Sequence, residues 1–130
     1  MQKSFVKEFK LYCKKKNLDV NSHQIKLIKI LEEYYKLNYK SFISKILSKK
    51  NYKKGFYLYG DVGVGKTMIL DFFFNLVEGK KLKLHFNEFM LSFHDFVHRS
   101  KDKNNENKIS KFVKKLKSKA KLIYFDEFQV

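Results

Sequence analysis

Of the 130 residues one is cysteine, none is proline or tryptophan, and only Arg99 among the 29 basic residues is arginine. A lone Cys13 cannot close an internal disulfide, which suits a reducing compartment, and Lys14, Lys15 and Lys16 beside it would lower its thiol pKa. No run approaches the ~20 apolar residues needed to cross a bilayer. The first residues lead into charged sequence without an apolar signal core. The expected setting is therefore cytoplasmic and soluble, with at most a peripheral place on the inner face of a membrane. The lack of proline carries no functional information at this length. The scarcity of arginine bears on the formal net charge of +16. Planar Arg forks mark dedicated phosphate readers, whereas these lysines lie scattered among Asn and Ile, as AT-rich coding DNA would produce. The charge also predicts weak, salt-sensitive attraction to nucleic acid or anionic lipid.

What is present is enough for one domain-sized core: 44% hydrophobic and 17% aromatic, the latter all Phe and Tyr. Periodicity divides the chain into a helical segment over 1–50 and an α/β segment over 51–130. In the first, Phe5, Val6, Phe9 and Tyr12 share a helix face. Asn21 or Ser22 caps a second helix carrying Ile25, Ile28, Leu31 and Tyr35, and Phe42, Ile43, Ile46 and Leu47 suggest a third. In the second, Phe56–Tyr59 reads as a strand and Met68–Val77 as a helix stopped by Gly79. There follow a strand over 82–86, a helix over 88–99, a polar loop over 101–108, a helix over 109–117 and a buried strand over 122–125. Phe72, Phe73 and Phe74 read as packing beneath a sheet. Alternating strands and helices at this spacing predict an α/β fold with a parallel sheet.

Gly60, Asp61, Val62, Gly63, Val64, Gly65, Lys66 and Thr67 form a complete G-x-x-x-x-G-K-T loop between the expected strand and helix. Its glycines permit close backbone approach, so that successive N–H groups converge on phosphate oxygens at a helix N-terminus. Lys66 would reach the β and γ phosphates and the Thr67 hydroxyl would bind Mg²⁺. Asp126, fifty-nine positions after Thr67, ends an apolar run where a strand would deliver a carboxylate to the metal. Glu127 beside it would activate water, which favours hydrolysis over transfer to an acceptor. His94 and His98, four apart on one expected helix, could share a metal, but no third ligand stands at a suitable spacing and solvated histidines are the simpler reading. His85 within an apolar strand reads as a core residue.

Taken together, Gly55-Phe-Tyr-Leu-Tyr-Gly-Asp-Val-Gly-Val-Gly-Lys-Thr-Met, His85-Phe-Asn-Glu-Phe-Met and Tyr124-Phe-Asp-Glu-Phe-Gln-Val resemble the ZapE-type ATPases, bacterial relatives of the AFG-one-like (lactation elevated) proteins of mitochondria. Asp19 with Gln24 is similar to a short motif upstream of the loop in that family. The resemblance implies a P-loop NTPase fold of AAA+ type and an ATP- and Mg²⁺-dependent hydrolase, with 60–67, Asp126 and Glu127 as nucleotide, metal and catalytic residues. It implies a link to the bacterial division ring or to protein quality control, with partial membrane association and ring-like oligomers in full-length relatives. It also implies truncation after the Asp-Glu strand, because family members continue through a sensor strand and site-completing arginines. An arginine finger is worth about 10³–10⁵ in turnover, so hydrolysis by this chain is expected to be slow. Two other readings stand beside this one: a non-catalytic nucleotide-binding remnant of a split or frameshifted gene, and a basic module for nucleic acid or a membrane surface.

Overall fold

A computed structural model describes residues 3–39, 54–60 and 65–128. The helix expected over 42–47 lies outside these residues. The chain divides into two compact units, Met1–Val77 and Glu78–Val130.

In the first unit, α1 (Phe5–Lys15) buries Phe5, Phe9 and Cys13. That i, i+4, i+8 stripe makes one apolar face, with Val6 and Tyr12 half-buried at its margins. The helix ends where Asn17 turns left-handed at φ 53°. Its N–H donates to the Lys14 carbonyl at 3.3 Å, and the Leu18 N–H donates to the Cys13 carbonyl at 2.9 Å. This pair of bonds satisfies carbonyls the last turn would otherwise leave open, and asparagine tolerates the left-handed position at low cost. The second helix, α2 (Ser22–Tyr39), buries Gln24, Ile28 and Leu31. The third, α3 (Lys66–Leu76), buries Ile69, Phe72 and Phe73.

Aromatic rings join the three helices. Phe9 meets Phe72 edge-on at 5.2 Å, and Phe73 lies 6.1 Å from Phe5 and 6.2 Å from Tyr34. Phe72 and Phe73 thus pack against α1 and α2 within this unit. Phe56–Tyr59 likewise forms no strand. A strand needs a ladder partner for its N–H and C=O groups, and the described residues of this unit supply none. Tyr57 and Tyr59 instead stack at 6.0 Å, with Tyr59 80% exposed.

In the second unit, β1 (Lys81–His85) pairs in parallel with β2 (Leu122–Asp126), with Lys81 opposite Leu122 and His85 opposite Asp126. Parallel neighbours require a crossover, here α4 (Phe86–Arg99) and α5 (Asn105–Lys119). The mixed helix and strand content with a small parallel sheet agrees with the expected α/β class. The loop expected over 101–108 is shorter, because Asn104 caps α5: its side chain accepts from the Glu106 N–H at 2.9 Å and starts the helix at residue 105. Gly79, at φ 95°, lies just beyond α3 in a backbone state costly for side-chain-bearing residues, as expected of a stop. The core of this unit is aromatic, with Phe112 of α5 against Phe89, Phe93 and Phe96 of α4 at 5.7, 5.1 and 5.4 Å.

Candidate functional site

The candidate residues fall on both units. In the first, Gly60 and Gly65 bracket the loop at φ 153° and 75°. Gly65 is the left-handed N-cap of α3, and its carbonyl accepts from the Ile69 N–H at 3.0 Å. Lys66 and Thr67 therefore open the first turn of α3, where backbone N–H groups lack helical partners and attract anions. The Lys66 ammonium donates to the Gly60 carbonyl. Thr67 is exposed. Asp61, Val62, Gly63 and Val64 lie outside the described residues.

Beside this helix end is a cleft of about 520 Å³. Gly65, Lys66 and Met68 line it from the loop side, and Leu18, Asp19, Asn21 and Gln24 from the start of α2. Two reciprocal hydrogen bonds shape that start. The Gln24 N–H donates to Asn21 Oδ1 at 2.9 Å, and the Asn21 N–H donates to Gln24 Oε1 at 3.1 Å. This is the geometry of a capping box, which holds both side chains in place while satisfying two backbone donors. Sequence reasoning named Asn21 as a cap and Gln24 as part of a motif, without joining them. The Asn-x-x-Gln spacing was the available signal.

In the second unit, Asp126 closes β2 and Glu127 follows it. Asp126 Oδ1 accepts from the Glu127 N–H at 3.0 Å, and its Oδ2 lies 4.0 Å from the Lys83 ammonium. Glu127 is exposed and has φ 53°, a left-handed conformation uncommon for a non-glycine residue. Its neighbours hold it there. Phe125 sits 4.8 Å from Phe89, and Phe128 sits 4.4 Å from Phe86. The His85-Phe-x-x-Phe and Phe-Asp-Glu-Phe segments, separate in sequence, are thus one cluster that grips the acidic pair from both sides.

Three expectations change. His85 is exposed at the N-cap of α4, not in the core, because β1 ends at that residue. His94 and His98 are exposed on α4, and no group of three or more potential metal-binding side chains converges among the described residues. Cys13 is fully buried, and that desolvation pushes its thiol pKa up, against the lowering its lysine neighbours suggested. Among the described residues no helix is long and apolar enough to cross a membrane.

Residues 12–130 match the family described as AFG1-like ATPase. The chain belongs to that family. It is 39% identical over 93 residues to lactation elevated protein 1 homolog B of Danio rerio, which covers 64% of this chain and 18% of the relative. It is 33% identical over 78 residues to cell division protein ZapE of Escherichia coli strain K12, covering 59% of this chain and 20% of that one. The chain therefore spans about a fifth of the length of these relatives. No solved structure matches it. Family membership supports ATPase chemistry at the level of the family.

Proposed function

We propose that this chain binds ATP with Mg²⁺ as an AFG1-like ATPase, converting ATP to ADP and phosphate. The observation that carries the reading is the loop that ends at a left-handed Gly65 and delivers Lys66 and Thr67 to the first turn of α3. The α3 N–H groups and the Lys66 ammonium would neutralise the β and γ phosphates. The Thr67 hydroxyl and the Asp126 carboxylate are each hard oxygen donors of the kind that Mg²⁺ takes beside phosphate and water. When bound, Mg²⁺ would supply positive charge that offsets the negative charge of the triphosphate. Glu127 would accept a proton from water as that water's oxygen bonds to the γ phosphorus and the bond to the β–γ bridging oxygen breaks.

Likeness to cell division protein ZapE extends the proposal to a role in cell division, in the cytoplasm. The test is thermal unfolding of the 130-residue chain with and without Mg-ATP. Ligand at ~100 times Kd adds about 2.7 kcal/mol to a native state that binds it, and Lys66→Ala should remove that gain. Glu127→Gln should abolish turnover and spare binding. A melt that ATP leaves in place for the parent chain overturns the proposal.

A further inference from the structure

We infer, on the reading that the loop holds a nucleoside triphosphate, that Gln24 selects the base and that the base is adenine. Gln24 lines the cleft beside Gly65 and Lys66 and is only 8% exposed. Its carboxamide orientation follows from chemistry. The Asn21 backbone N–H can only donate, so the atom facing it at 3.1 Å is the oxygen Oε1. The amino group Nε2 therefore points the other way, to within 3.4 Å of where a side chain on Gly65 would begin. Among the described residues Nε2 has no hydrogen-bond partner. Such a donor pair, not sealed from water, is free to meet a ligand's acceptor. Here it opens into a cleft within the usual 300–1,000 Å³ of small-molecule sites.

The ligand that fits is a flat heterocycle attached to the phosphates that Lys66 would hold. Leu18, Leu27, Leu58, Met68 and Tyr59 supply apolar and aromatic lining for its faces. At its edge, Gln24 offers a donor at Nε2 and a second lone pair on Oε1. This matches the acceptor N7 and the amino group N6 of adenine, the bidentate pairing that carboxamides make with that base. Guanine would set its O6 against Oε1, acceptor against acceptor. Because the capping box holds Gln24 in one orientation, the amide cannot flip to accommodate it.

The test is calorimetric titration of the full chain with ATP, GTP, 7-deaza-ATP and tripolyphosphate, each with Mg²⁺, for the parent, Lys66→Ala and Gln24→Met. The parent should prefer ATP over GTP by about 5- to 150-fold. It should lose about fivefold or more towards 7-deaza-ATP, which lacks the N7 acceptor. In Gln24→Met the ATP and GTP affinities should converge while tripolyphosphate binding holds. The 7-deaza comparison uses the unaltered chain, so it decides even where Gln24→Met fails to fold. Equal binding of ATP and 7-deaza-ATP, or an undiminished ATP preference in Gln24→Met, overturns the role of Gln24. If Lys66→Ala still weakens ATP binding in that case, the triphosphate reading survives; if the parent binds none of the four, both fall.

Discussion

The helix that presents Lys66 and Thr67 is held by rings, and the contact between Phe9 and Phe72 allows a direct measurement of that hold. Phe9 is fully buried and meets Phe72 edge-on at 5.2 Å, joining α1 to α3. Truncating a buried Phe to Ala costs about 3–5 kcal/mol, a large share of the ~5–15 kcal/mol that holds a typical domain. Leucine is the better probe, since it keeps most of the apolar volume and removes the aromatic geometry. Each of Phe9→Leu and Phe72→Leu should destabilise the chain. The double variant should lose less than their sum by about 0.5–1.5 kcal/mol, the worth of an aromatic pair beyond its area. Urea unfolding followed by far-ultraviolet circular dichroism measures all four chains, and an unchanged slope against urea shows that stability alone has moved. Additivity within ~0.3 kcal/mol would refute the contact, and with it the account of how α3 is fixed.

Three further outcomes are expected. Cys13 should resist a thiol reagent such as dithionitrobenzoate at neutral pH and react at full rate once the chain is unfolded in denaturant, since burial both shields the thiol and raises its pKa; rapid labelling of the native chain would contradict its burial. At Glu127, where φ is 53°, Glu127→Gly should be more stable than Glu127→Ala by about 1 kcal/mol, the reverse of their order in a helix, as measured by denaturant midpoint. The Asp102 carboxyl is held below its usual pKa by the Asn104 backbone N–H, 3.1 Å away, and then by Lys111, 3.3 Å away. A depressed folded-state pKa gives stability that is present above the unfolded value of ~3.9 and lost as pH falls through the folded one. The stability difference between the parent and Asp102→Asn should therefore shrink on acidification from pH ~5 towards pH ~2, and a difference constant with pH would remove Asp102 from that role.

Much of the local structure was legible because local physics decides it. The stripes of α1 and α3 follow from apolar spacing, and the strand over 122–126 from an apolar run that ends in acid. At 60–67 the motif rests on residue type and interval, and the structure adds the left-handed Gly65 that opens α3. The start of α5 was misplaced because a single side chain, Asn104, sets it, and a polar stretch gives no periodic warning. His85 was misread because its burial depends on where β1 ends, a difference of one residue.

By itself the sequence determined the glycine, lysine and threonine pattern at 60–67, the acidic pair and the aromatic supply. These reside in residue type and interval, and no folding is needed to count them. Only the tertiary structure decided what those residues touch. A strand exists only with a partner, so Phe56–Tyr59 could not be assigned from its own composition. The rings of Phe72 and Phe73 would suit a sheet or a helix equally, and only the folded chain shows that they meet α1 and α2. Gln24 would pass as one more polar helix residue in sequence. Its reciprocal bonds with Asn21 and its place beside Gly65 make it a fixed donor in a cleft, because orientation is a property of the folded chain and not of the residue.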